Sequence, residues 1–216
     1  MTKEEDRALA RPDYWDGRYA RGDGEVPTHE WFRSFDELEA FLRPTLIEKS
    51  PFTPADNPLI LHLGSGDSLV PDELATRGYK QQLCADFSPV VVELMSARHA
   101  ENPAITWKQV DVRDMRSEIA DKTVDVAFDK GTLDAMIHGS PWSPPSEVKD
   151  NTSRYMGEVH RVLKDTGVFL YITYRQPHFI KPLLNPSDSL WDMEMQVLGA
   201  EGSFGYYGYV ITKKSL

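Results

Sequence analysis

The chain of 216 residues has a single cysteine, Cys84. No disulfide can close within it, so a disulfide-held scaffold is excluded and a reducing compartment is expected. Positive charge is also scarce. Lys and Arg number 24 against 34 Asp and Glu, a formal net charge of -10. Phosphate binding calls for a basic surface, so no nucleic-acid partner is expected. An acidic surface can steer a basic protein toward it or simply keep the chain soluble, and both readings stand. No apolar run approaches the ~18 residues of a membrane span. Residues 1–7, Met-Thr-Lys-Glu-Glu-Asp-Arg, are too polar and acidic for a secretory or transit segment. Together these absences lead to the expectation of a cytoplasmic protein, monomeric and without a membrane partner. The six histidines show no ligand spacing, and one cysteine cannot build a thiolate cluster, so no metal is expected.

The hydrophobic share, 40%, suits one domain with a full core. Residues 1–216 read as a single unit, with 1–50 an N-terminal lid and helix and 59–216 a ligand-binding core. Gly22, Gly24 and Pro27 interrupt regular structure near the start. Ser34-Phe35-Asp36-Glu37 has the form of a capping box, followed by Phe35, Leu38, Phe41 and Leu42 at helical spacing. Pro44 should kink or end that helix. From residue 59 apolar runs alternate with helical patterns. Strands are expected over 59–63, 82–85, 105–110, 124–128 and 168–173, and helices over 70–77, 88–100 and 152–163. Gly78 is a natural helix stop, and Ser88-Pro89 offers an N-cap with proline at the first helical position. Runs over 193–198 and 206–212, joined by Gly199, Gly202 and Gly205, suit an antiparallel hairpin at the sheet edge. This alternation implies an α/β fold with a mostly parallel, doubly covered sheet.

The most informative stretch is Leu59-Ile60-Leu61-His62-Leu63-Gly64-Ser65-Gly66-Asp67-Ser68. An apolar strand running into a turn with Gly64 and Gly66 is how such folds bring backbone close to a nucleotide-like ligand. A carboxylate then follows each of the next apolar runs. Asp86, about twenty residues beyond the turn, is placed to accept the hydroxyls of a ribose, with Phe87 beside it against a base or in the core. Asp111 could accept from an adenine amino group while the Val112 N–H reaches a ring nitrogen. Asp129 ends the fourth run. It could orient an attacking amine, pass its proton to water, contact the ligand, or only end the strand. Asp134 is either part of the site or a helix cap. His62 reads as a strand residue near the site rather than a base. The aromatic opening Tyr14-Trp15-Asp16-Gly17-Arg18-Tyr19, with Glu30-Trp31-Phe32, is either a lid whose rings face a cation or a segment docked on the domain.

This plan resembles the class I S-adenosylmethionine-dependent methyltransferases, with their seven-stranded Rossmann-like sheet. A nicotinamide dehydrogenase would want a third glycine where this chain has Leu69. Within the class, the chain resembles the elongation factor 1A lysine methyltransferase group, which includes the methyltransferase encoded with endothelin-converting enzyme 2. The similarity is carried by Tyr14–Tyr19, Glu30-Trp31-Phe32, Leu63-Gly64-Ser65-Gly66-Asp67-Ser68, Asp111-Val112, Lys130-Gly131-Thr132-Leu133-Asp134-Ala135 and Pro177-His178-Phe179. The resemblance implies S-adenosyl-L-methionine as cofactor, held by Trp15, Tyr19, Trp31, Gly64, Gly66, Asp86, Phe87, Asp111, Val112 and Lys130. It implies elongation factor 1A as the protein substrate and methyl transfer to a lysine, with Asp129 the candidate catalytic residue. Ser65 and Asp67 stand where the group has Cys and Asn. Residues 139–146 and those after His178 match poorly and are the segments expected to meet substrate. Two rival readings are a methyltransferase for a small molecule or another protein, and a non-catalytic S-adenosylmethionine-binding module.

Overall fold

The computed structural model describes residues 3–21, 30–48, 50–186, 190–199 and 205–214. Gly22, Gly24, Pro27 and Gly202 lie outside them. Seven strands form one sheet: β1 (Leu59–Leu63), β2 (Gln81–Asp86), β3 (Ile105–Gln109), β4 (Val124–Lys130), β5 (Leu163–Thr173), β6 (Trp191–Leu198) and β7 (Tyr206–Lys213). Their order across the sheet is β3-β2-β1-β4-β5-β7-β6. The first five run parallel. β7 is antiparallel to β5 on one side and to β6 on the other, which makes the expected hairpin and puts β6 at the edge.

Strand alternation divides the core into two layers. On one face Leu61, Leu63, Ala127, Phe169 and Tyr171 meet Tyr155, Val159 and Val162 of a helix over Ser146–Val162. On the other, Ile60, Val126, Phe128, Leu170 and Ile172 meet Phe35, Leu38, Phe41 and Leu42 of a helix over Phe35–Leu42. Ser34 caps that helix through the expected reciprocal bond with Glu37, and a π-helical turn over Arg43–Ile47 follows at Pro44. The Ser88 hydroxyl accepts from the Val91 N–H and opens a helix over Pro89–Arg98.

Several boundaries differ from the sequence pattern. The Ser146–Val162 helix starts six residues before the expected 152. Its exposed first turns are mostly polar, and Val148 alone there marks the buried stripe. β4 runs two residues beyond 128, through Asp129 and Lys130, because both still pair with β5 opposite Tyr171 and Ile172. Ahead of the sheet lie short helices over Lys3–Ala8 and Pro12–Ala20, with Tyr14–Tyr19 in the latter. The second of these leans on the Pro89–Arg98 helix, where the Ser88 hydroxyl donates to Asp16 at 2.5 Å.

Candidate ligand cleft

A cleft of about 320 Å³ lies at the carboxyl ends of β1, β2, β3 and β4. This is the crevice where open α/β sheets bind ligands. Trp15, Tyr19, Trp31, Gly64, Gly66, Asp86, Phe87, Asp111, Val112 and Lys130 all line it. Asp129 does not.

The turn after β1 has positive φ at Gly64 (63°) and Gly66 (55°), a region that disfavours side chains. The closest neighbours of these glycines are the protein's own groups. A Cβ on Gly64 would stand 2.1 Å from Thr132 Oγ1, which donates to the Gly64 carbonyl at 2.9 Å. A Cβ on Gly66 would stand 2.7 Å from Tyr19 Oη. Their small size therefore lets the β4 turn and the N-terminal helix close onto the site, besides leaving backbone exposed to a ligand.

Asp86 is buried. One carboxylate oxygen accepts from the Gly66 N–H and the other from the Ser88 N–H, each at 2.9 Å. Two N–H donors fix the carboxylate plane and leave a further lone pair on each oxygen. Burial pushes its pKa up to about 6, with Asp16 and Asp67 adding to the rise while the two N–H bonds oppose it. Asp111 is held differently. The Arg113 guanidinium grips both its oxygens, with Nη2 to Oδ2 at 2.8 Å, and Arg113 continues to Asn151. Asp111 thus faces the cleft already paired with an arginine that also lines it. His62 is buried and neutral, its pKa lowered to about 4 by desolvation. The Gln82 amide NH₂ donates to Pro71, so the Gln82 carbonyl oxygen faces His62 and takes the Nε2 proton at 2.9 Å. A base role finds no support in that arrangement.

The aromatic opening is both docked and over the cleft. Trp15 donates its indole N–H to the Leu9 carbonyl at 2.7 Å. It stacks on Tyr19 (6.0 Å) and meets Trp31 edge-on (5.8 Å). The segment is fastened by Glu30, to which the sequence motif gave no role of its own. Glu30 accepts from the Ser68 hydroxyl and the Leu69 N–H, each at 2.8 Å, and pairs with Lys130. Lys130 also donates to the Trp31 carbonyl at 2.7 Å. The lysine thus lines the cleft with its ammonium spent on the N-terminal segment.

The geometry corrects the expectation for Asp129. Alternation along the extended β4 turns its side chain to the Tyr155 face, away from the cleft. It is fully buried and accepts from the Thr132 N–H (2.9 Å), the Leu133 N–H (2.9 Å) and the Tyr155 hydroxyl (2.6 Å). Burial, with Asp134 nearby, raises its pKa to about 7 against the pull of those bonds. Asp129 stands one residue before the end of β4 and satisfies the first two N–H groups of the short helix over Thr132–Met136. Asp134 is no helix cap. Its oxygens accept from Tyr171 at 2.6 Å and Thr173 at 2.7 Å.

The walls suit a cationic nucleoside. Asp67, absent from the sequence candidates, is 3% exposed, and its Oδ2 is buried in the cleft wall with no hydrogen-bond partner among the described residues. An orphan buried carboxylate oxygen is costly unless a ligand donates to it. With Asp86 nearby and the faces of Trp15, Tyr19 and Trp31 around it, this end favours a ligand with ribose hydroxyls and positive charge. Residues 139–146 also meet the helix over Pro177–Leu184. Trp142, 81% exposed, stands edge-on to Phe179 at 4.8 Å.

Comparison with known proteins agrees. Residues 61–171 match the family described as "Methyltransferase domain". EEF1A lysine methyltransferase 4 of Mus musculus is 34% identical over 202 residues, 93% of this chain and 74% of the relative. The human mitochondrial citrate synthase-lysine N-methyltransferase is 26% identical over 221 residues, covering 95% and 88%. Among solved structures, the Burkholderia thailandensis 1,6-didemethyltoxoflavin-N1-methyltransferase, solved with S-adenosylhomocysteine, shares the fold. Its TM-score is 0.62 at 15% identity, over 100% of this chain and 92% of that one.

Proposed function

The chain belongs to the methyltransferase-domain family, and from that premise we propose that it methylates a lysine of a protein, elongation factor 1A, using S-adenosylmethionine. The observation that carries the cofactor is the cleft itself, where buried Asp67 and Asp86 face aromatic rings at the ends of β1 and β2. Two relatives named for protein lysines, similar to this chain over nearly its whole length, support the acceptor class. The higher identity to the elongation factor enzyme supports the substrate.

When bound, S-adenosylmethionine supplies a methyl on a sulfonium, which an amine lone pair takes as the carbon–sulfur electron pair leaves on sulfur. Asp86 receives the ribose hydroxyls on the lone pairs its backbone donors leave open. Asp67 takes a donor from the ligand's charged end. Trp15, Tyr19 and Trp31 exclude water above the cation, and Phe87 packs on the base. Asp111, backed by Arg113, and the Val112 N–H read the base edge. With Asp129 turned away, no side chain need act as a strong base. Positioning and desolvation supply the acceleration, and the amine's proton leaves to water.

We take residues 1–216 as one functional unit, with 1–50 closing over the 59–216 core. We take it to act on protein as a cytoplasmic monomer; the buried, free Cys84 supports a reducing compartment, and the net charge of -10 supports a protein over a nucleic-acid partner. Among the described residues no helix is long and apolar enough to cross a membrane.

Purified enzyme with methyl-radiolabelled cofactor and a cell extract tests this reading. One labelled protein of the mass of elongation factor 1A, carrying methyl-lysine and absent with Asp86→Ala, is expected. Label confined to small molecules would overturn it.

A further inference from the structure

The cleft extends beyond the carboxylate end. Its opposite wall is Gly131, Ala135, Met136, Phe32 and Tyr174, at the ends of β4 and β5. The one carboxylate there, Asp134, is engaged by Tyr171 and Thr173. Phe32 holds φ at 64°, a conformation that bulky residues rarely adopt and that persists only where surroundings impose it. The surroundings are on view. The Phe32 ring fits against Gly131, where an added Cβ would stand 3.3 Å away. It meets Tyr174 edge-on at 5.6 Å and Tyr206 at 5.4 Å. Arg33 covers Tyr206 (4.6 Å) and Arg175 covers Tyr174 (5.1 Å). Arg175 is itself fixed by the carbonyls of Asp134 and Ile137. Tyr174 is thus backed by Arg175, and Phe32 by Tyr206, while Phe32 and Tyr174 themselves line the cleft.

Resting on the function proposed above, we infer that Phe32 and Tyr174 form the throat through which the acceptor lysine reaches the methyl group. An aromatic slot suits both ends of that reaction. A free lysine is only about 0.04% neutral at pH 7, given a pKa near 10.4. Apolar walls disfavour the ammonium and so raise the fraction with a lone pair. The same ring faces then hold the methylated cation by cation–π attraction, which tolerates added methyls. The positive φ at Phe32 sets its ring at the edge of the second core layer, where it also meets Tyr174.

The test uses the enzyme saturated with S-adenosylhomocysteine and two probes, the methylamides of Nα-acetyl-lysine and Nα-acetyl-trimethyllysine, followed by saturation-transfer NMR. Wild-type enzyme binds the trimethylated probe more tightly. Tyr174→Ala and the milder Phe32→Leu weaken that probe by about tenfold, with S-adenosylhomocysteine affinity within about twofold of wild type. On elongation factor 1A the same variants raise KM and change the ratio of mono-, di- and trimethyl-lysine. Equal binding of both probes, or weakening that follows lost cofactor affinity, overturns the throat. Ring-dependent probe binding without methylation of elongation factor 1A keeps the throat and overturns only the named substrate.

Discussion

The Tyr155 hydroxyl stands 2.6 Å from Asp129 Oδ2, and both side chains are buried to 0% exposure. This pair joins the Ser146–Val162 helix to the end of β4 and sets the turn that carries Thr132 to Gly64. Tyr155→Phe removes one buried donor and should cost about 1–3 kcal/mol, read by denaturant unfolding, with S-adenosylhomocysteine affinity unchanged. Lost turnover at unchanged stability would return Asp129 to a chemical role.

Asp86 gives a pH dependence. Its pKa is raised to about 6 from 3.8, so the bare carboxylate that accepts ribose hydroxyls is full only above that value. Cofactor affinity should be flat above about pH 7 and fall as pH drops through 6. For stability the sign is opposite. The folded state keeps this proton to about 6 while the unfolded chain loses it near 3.8, so the group's contribution is largest below 3.8 and is lost as pH rises through 6. Calorimetric titrations from pH 8 to 5 should show the binding inflection, and Asp86→Asn should remove it.

Lys130 and Glu30 tie the aromatic segment to the sheet, with side chains 4% and 17% exposed. Removing one partner of so buried a pair is costly. Lys130→Met should weaken S-adenosylhomocysteine by about tenfold or more and speed its release. Stopped-flow fluorescence of Trp15 and Trp31 would follow this. An unchanged off-rate would mean that the segment does not gate the cleft.

Gly66→Ala forces a Cβ to 2.7 Å from Tyr19 Oη at a φ of 55°. It should lower cofactor affinity and melting temperature. Adding Tyr19→Phe relieves the contact but not the φ, so the double variant should recover part of the loss. A strictly additive cycle would separate the two positions.

Trp142 is 81% exposed beside Phe179 and does not line the cleft. Trp142→Ala should raise KM for a protein substrate several-fold while leaving cofactor affinity alone, since exposed aromatics often anchor partners. Steady-state kinetics at saturating cofactor would decide it.

Local chemistry was legible where one residue type sets a local shape. Ser34 with Glu37, Ser88 before Pro89, and Gly78 as a helix stop each satisfy backbone groups nearby in sequence. Asp86 and Asp111 could be placed because they end apolar runs whose length is fixed by the sheet. The role of Asp129 stayed open because charged residues disguise the last two positions of β4, so that the strand alternation, which decides its face, could not be followed that far. Glu30 stood in a motif, but its fastening role was not legible because its partners, Ser68, Leu69 and Lys130, are distant in sequence. Phe32 carried a motif but no hint of its positive φ, which only its packed neighbours impose.

The strand order bears on how the chain is made. β7 lies between β5 and β6, yet it is synthesised after both. While it is still inside the ribosome, β5 has an open flank of unpaired backbone, and β6 has no strand to join. Such an edge invites pairing with other chains. The half of the sheet that carries the cleft can assemble early, since β1 to β5 are by then complete. Release of residues 206–213 closes the gap, and a nascent chain stalled before that point should be held by chaperones or aggregate.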